Sequence, residues 1–213
     1  LNFRKAIPLA SIDHVLPTLG SALIHQWPYI STKQDFIPVL HDIVTSTRHT
    51  EAASDSSPRS FDEDYHEFIH YQNLHIEYRL LDFNAESVVE KACRIACLLY
   101  VNTSLVRGHP PSAAIIQNLV DALFKNLVSS DDGSPEVEDP WAGCLHLLFW
   151  VLFVGAHCSR QQAREPFFVD SVSQTAALLH LDTWESARTL LEQYLFVDKV
   201  YQETLEMMWI LKS

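Results

Sequence analysis

The stretch DPWAGCLHLLFWVLFVGA, residues 139–156, decides the fold. Its apolar run from Trp141 to Ala156 is interrupted by Gly143 and His146. That run falls short of the ~18 apolar residues wanted for a membrane span, so a buried central helix is the better reading. Asp139 followed by Pro140 has the form of an N-cap with proline at the first helical position, which sets a helix start directly before the run.

Working outward, the helical period continues on both sides. Downstream, Phe167 to His180 reads as one helix, and Asp182-Thr-Trp-Glu185 as a capping box. The box opens an apolar stripe of Trp184, Ala187, Leu190, Leu191, Tyr194 and Leu195, with a break near Val197-Asp198 before a last helix from Val200 to Leu211. Upstream, Pro110 and Pro111 start a helix ending near Val128, and Asn84 is placed to cap another that carries Val88, Ala92, Ile95 and Leu99. In Phe61 to Leu81 the apolar positions Phe61, Tyr65, Phe68, Leu74, Tyr78 and Leu81 recur mostly every three or four residues, behind a capping box at Ser60-Phe-Asp-Glu63. Two stretches read as mobile loops: residues 45–60, polar and Ser-rich, and residues 129–140, acidic with Gly133, Pro135 and Pro140. No segment of any length alternates with period two. The expectation is one all-α domain over residues 1–213, built of roughly eight helices with antiparallel neighbours.

Composition agrees. Of the 213 residues 47% are hydrophobic and 20% charged, enough for a sizeable core, and five glycines are few for a sandwich or barrel. The formal net charge of −12 repels phosphate, so no nucleic acid is expected to bind through this chain. Cys93, Cys97, Cys144 and Cys158 sit in apolar stretches without a disulfide framework, which points to buried thiols in a reducing, intracellular compartment. The start, Leu1-Asn2-Phe3-Arg4-Lys5, lacks the apolar run of a signal peptide and an initiator Met, as an internal piece of a longer protein would.

His66-Glu67-Phe68-Ile69-His70 is a literal HExxH. On a helix this spacing sets two imidazoles on one face, able to share a zinc ion, with the glutamate as general base for a zinc-bound water. The chemistry also needs a third ligand. Asn73 and Ile76 stand where a metzincin-type extension wants glycine and histidine, and His75 misses by one; Glu86 and Glu90 on the next helix are the carboxylates within reason. A chain with eleven histidines meets this pentapeptide by chance, and Asp62, Glu63 and Asp64 mark an exposed acidic edge, so no metal and no catalytic residue is assigned. There is no GxSxG elbow, phosphate-binding glycine loop or CxxC pair, and no cofactor is expected. Cys93 and Cys97, four apart among Ile95, Ala96, Leu98 and Leu99, read as core packing.

LLFWVLFVGA (147–156), Arg164-Glu-Pro-Phe-Phe168 and LDTWESARTLLEQYLFVDKVYQETLEMMW (181–209) together resemble the C-terminal part of the fungal-specific transcription factor domain. Trp150, Gly155, Arg164, Phe168, Trp184, Leu191 and Trp209 follow that family's order, and Arg94-Ile-Ala-Cys-Leu-Leu-Tyr100 looks like its Arg-x-Ala-x-x-x-Tyr helix. Phe167 stands where the family often has Trp, and Val197 breaks an aromatic-Trp-Asp pattern before Asp198. The resemblance implies a nuclear regulatory domain that acts on a DNA-binding zinc cluster not contained in residues 1–213. The alternative is a stand-alone enzyme or small-molecule-binding protein of the same helical fold, including a zinc hydrolase using residues 66–70.

The expected partners are a small-molecule effector, a second copy of the chain or transcription co-regulators, with no membrane. His146, Trp150, Phe153 and His157 fall at i, i+4, i+7 and i+11 on one face of the central helix. Flat aromatic area beside two imidazoles is the usual make-up of a small-molecule site, so these four are the expected effector-binding residues. The opposing expectation is a packed core helix with both histidines satisfied by neighbours.

Overall fold

The structure is a computed structural model that describes residues 16–55, 63–105, 110, 112–129 and 139–210. Among the described residues there are nine α-helices and no strand. They are α1 (Ser21–Ile30), α2 (Phe36–Asp55), α3 (Glu63–Asp82), α4 (Val88–Tyr100), α5 (Ala114–Val128), α6 (Leu145–Cys158), α7 (Glu165–Leu178), α8 (Trp184–Leu191) and α9 (Asp198–Ile210). A single π-helical turn, Val101–Leu105, prolongs α4.

Helix α6 forms the centre, buried over most of its length from Leu147 onward and packed on α7, α4 and α5; α4 in turn packs on α5 and α3, and α2 on α3 and the π turn. One continuous core results, running from Leu23 and Trp27 in α1 to Tyr201 and Leu205 in α9. No described helix is long and apolar enough to cross a membrane. Two glycines set close approaches. Gly20 has φ +73° and a Cβ there would overlap Val44; a Cβ on Gly155 would overlap the Phe168 ring where α6 meets α7.

The segment before α1 is pinned to the turn after α8. Gly20 N–H donates to Tyr194 O at 2.7 Å, Ala22 N–H to Gln193 O at 2.9 Å, and the Thr18 hydroxyl to Glu192 O at 3.1 Å. Sequence-distant ends therefore share one layer.

Several expectations shift. Residues 45–55, read as loop, are the second half of α2. The hydroxyls that suggested a loop bond within the helix, Thr47 to Ile43 O and Thr50 to Ser46 O, or across it. Residues 56–60, the capping box at Ser60-Phe-Asp-Glu63 and most of the 129–140 loop lie outside the described residues. Asp139-Pro140 opens a turn, with Asp139 Oδ1 accepting from Trp141 N–H at 2.9 Å, and α6 begins at Leu145. Ser87 caps α4 rather than Asn84, in a reciprocal box with Glu90; Thr183 and Ser186 cap α8, one residue off the expected box. On α3 the expected apolar face is turned outward. Tyr78 and Leu81 are exposed, while Asn73, Ile76 and Leu80 face the core. Two stripes of similar spacing run along this helix; the buried one carries Ile76 and Leu80, and the Asn73 amide within it is paired with the Ser46 hydroxyl and Leu105 O.

Candidate functional site

Of the four residues expected to bind an effector, three come together and one does not. His146 is exposed at the start of α6; Trp150 and Phe153 are fully buried; His157 is partly buried near its end. The segment 194–204 covers them. The Trp150 indole N–H donates to Leu195 O at 3.0 Å, and its ring stacks on Tyr194 at 6.0 Å between centroids. Phe153 packs against Phe196 and Tyr201. His157 meets the Tyr201 ring edge-on at 4.6 Å, with Nδ1 2.8 Å from the Thr204 hydroxyl. Burial, with the Arg160 charge adding to it, pushes the His157 imidazole down to about 4 against a weaker opposing pull from Glu203. The ring is therefore neutral at physiological pH.

Tyr201 leads from this aromatic face into a polar network that the sequence reading missed. Its hydroxyl accepts from the Ser104 hydroxyl at 3.1 Å, and its ring lies parallel to Tyr100 at 6.1 Å. The Tyr100 and Thr47 hydroxyls are 3.1 Å apart. Asn102 donates to Leu98 O at 2.9 Å and to Glu77 Oε1 at 3.1 Å; Asn73 accepts from the Ser46 hydroxyl and donates to Leu105 O. At the edge Lys199 pairs with the largely buried Glu51 at 3.3 Å. The network joins α2, α3, α4, the π turn and α9. Asn102 and Ser104 both lie in the π turn, which is buried on nearly all sides, so each polar side chain must find its partner inside the protein. The signal available beforehand was the polar run Asn102-Thr103-Ser104 closing an otherwise apolar helix.

These groups offer neutral hydrogen bonding rather than bond-breaking chemistry. Burial pushes the Tyr100 and Tyr201 hydroxyls up, well out of the range where they ionise. It does the same to the Cys93 and Cys97 thiols and raises Cys158 to about 12, the reverse of what a reactive thiolate requires. Of the HExxH residues, Glu67 and His70 are exposed, and the His66 side chain is not among those described. Both carboxylates considered as third ligand are engaged elsewhere: Glu86 pairs with Lys33 at 2.7 Å, and Glu90 accepts from the Ser31 hydroxyl and the Ser87 N–H. Among the described residues no cluster of three or more His, Cys, Asp or Glu is arranged to hold a metal.

An open groove of about 590 Å³ lies at the outer end of α1, lined by Gln26, Tyr29, Ile30, Ser87, Val89, Asp139, Pro140, Ala142, Gly143 and Cys144. None of the four expected residues lines it, yet one of them is two contacts away. Gln26 Oε1 accepts from the Tyr194 hydroxyl at 3.0 Å, and Tyr194 is the ring stacked on Trp150.

The family model of the fungal specific transcription factor domain matches residues 7–194. No curated protein and no solved structure matches the chain.

Proposed function

This chain belongs to the fungal-specific transcription factor domain family, and from that premise we propose that it is a nuclear effector-sensing domain that controls a DNA-reading zinc cluster lying outside residues 1–213. The net charge of −12 supports leaving DNA contact to another module, since an acidic surface gains nothing from counterion release at a phosphate backbone. Regulation rather than catalysis fits the neutral, buried character of the tyrosines and thiols.

The observation that carries the effector reading is the line from groove to core, Gln26 to Tyr194 to Trp150. A molecule bound against Gln26 competes for the amide that holds the Tyr194 hydroxyl, and so biases the packing of the segment 194–204 on α6. Asp139 in the lining disfavours an anion, so the fitting effector is neutral or cationic, with an apolar body against Ile30 and Val89. In this reading Trp150, Phe153 and His157 transmit the signal, and the groove makes the contact. The test is a reporter gene driven by the full-length factor. Gln26→Leu should remove the effector-dependent change in transcription, with the domain still folded and a stability loss no larger than that of an unpaired Tyr194 hydroxyl, about 1–3 kcal/mol. An unchanged response overturns the groove as the sensing site.

A further inference from the structure

Helix α1 starts without a side-chain cap of its own. Gly20 stands at its N-cap and has no side chain to offer, so the free N–H groups of the first turn need partners outside the helix. They find the carbonyls that follow α8. Gly20 N–H donates to Tyr194 O and Ala22 N–H to Gln193 O, with the Thr18 hydroxyl on Glu192 O beside them. The positive end of one helix thus meets the negative end of another.

Two features mark this junction as a place where the chain opens before the core does. Of residues 16–20 only Leu19 buries its side chain fully; Pro17 and Thr18 are exposed and Leu16 is half-buried. The backbone is also held in a costly shape. Leu16 has φ +49°, in the left-handed region that an L side chain disfavours, and Gly20 has φ +73°. Arg48 holds the strained end only by long bonds, its guanidinium donating to Leu16 O and Pro17 O at 3.4 Å each. Few buried apolar contacts and hydrogen bonds near the surface are the signs of a segment that opens locally.

Tyr194 joins this junction to the groove. Its carbonyl accepts from Gly20, and its hydroxyl donates to Gln26 further along α1, whose side chain lines the groove. Without the Gln26 bond, Tyr194 is tied to α1 by its carbonyl alone.

We propose that residues 16–20 form a latch that opens from the end of α8 while the core stays folded, and that its closure is coupled to the Gln26–Tyr194 bond. Coupling of this kind is reciprocal. A molecule that takes the Gln26 amide loosens the latch, and an open latch favours that molecule in the groove. The proposal rests on the effector reading only for what breaks the bond naturally; a substitution at Tyr194 breaks it with no effector present.

The test is amide hydrogen exchange of the 213-residue chain, followed residue by residue by NMR. Gly20 and Ala22 should show protection at least about 100-fold below that of Val151 and Val154 in α6, which open only with the whole domain. Tyr194→Phe keeps the ring on Trp150 and deletes only the hydroxyl. It should lower protection of Gly20 and Ala22 at least about threefold more than that of the α6 pair. Gly20→Ala places a methyl where it overlaps Val44, on a backbone that alanine disfavours, and should hold the latch open. Ala22 then loses nearly all its protection while Val151 and Val154 keep theirs. Equal protection of the two pairs in the parent overturns the latch, as does their joint loss in Gly20→Ala. An even effect of Tyr194→Phe on both pairs overturns the coupling, and leaves the groove reading to stand or fall by the response of Gln26→Leu.

Discussion

Helix α6 lies in the core with an almost wholly apolar surface, tied at two polar points, Trp150 to Leu195 and His157 to Thr204. The second half of α2 enters the same core carrying Ser46, Thr47, His49 and Glu51, all buried. The first is held mainly by removing apolar area from water, at roughly 25 cal/mol per Å². The second contributes little by that route and is instead matched to Asn73, Tyr100, Lys199 and its own carbonyls. The difference teaches that polar residues are compatible with a buried helix when each finds a partner, because the cost falls on unpaired groups, about 1–3 kcal/mol apiece. An apolar helix tolerates loss of a hydrogen bond but not loss of volume; the polar one behaves the other way round.

The largest expected effect lies on the apolar side. Trp150→Ala removes a fully buried indole from between Tyr194 and the rest of the core, and should cost about 3–5 kcal/mol. Urea denaturation followed by circular dichroism measures it. A cost under about 1 kcal/mol would mean that α6 is not packed as tightly as its burial implies.

His157 gives the next largest effect and links the two regions. It is held down at about 4 in the folded chain against an ordinary 6.5, so the unfolded chain binds the extra proton between those values. Stability therefore rises with pH through this window and falls as pH drops from 6.5 to 4, by about 3 kcal/mol in all. Replacing His157 by Gln, which keeps a hydrogen-bonding group beside Thr204 but does not titrate, should flatten that part of the stability–pH curve. An unchanged slope would assign the acid sensitivity to other groups.

On the polar side, Asn102→Ala removes the amide that donates to both Leu98 O and Glu77, leaving a part-buried carboxylate short of a donor. The expected cost is about 1–3 kcal/mol. Pairing it with Glu77→Ala in a double-mutant cycle should return a coupling of at least about 0.5 kcal/mol. No coupling would mean that the network around the π turn is a set of independent bonds.

How much could be read beforehand follows the same division. The apolar run of α6 and the positions of α5, α7, α8 and α9 were legible because burial by area writes itself as periodicity. The second half of α2 was not, since Ser, Thr and His look alike in a loop and in a helix whose partners are distant in sequence. The two stripes of α3 have nearly the same period, so periodicity alone does not tell which one faces the core, and the buried one carries a polar Asn73 that reads as a surface residue. Of the candidate site, the face of Trp150, Phe153 and His157 was visible in the helical spacing. Gln26, Tyr100 and Tyr201 were not, because each is placed by a partner far away in sequence, Gln26 by Tyr194, and Tyr100 and Tyr201 by Thr47, Ser104 and each other, and no local pattern encodes such contacts.

Helix α4 lies between the two regions, and its N-terminal cap supplies the smallest effect and a control on the comparison. The Ser87 hydroxyl accepts from Glu90 N–H at 3.1 Å, and Glu90 returns the bond to Ser87 N–H at 3.1 Å. This tie closes within one helix turn, unlike the Asn102 amide, which spans elements. Ser87→Ala should therefore cost only about 1 kcal/mol, since exposed donors at a helix start find water when the cap is lost. Ser87→Thr should restore most of it. Glu90 is the guard on the interpretation, because its carboxylate also accepts from the Ser31 hydroxyl and so reaches the segment after α1. If Ser87→Ala costs as much as Asn102→Ala, the cap is not local: losing it has released Glu90 from Ser31 as well, and the distinction between bonds within a helix and bonds across the core does not hold at α4. If the cost stays near 1 kcal/mol and threonine recovers it, what separates the two regions is how many elements each hydrogen bond joins rather than how many hydrogen bonds there are.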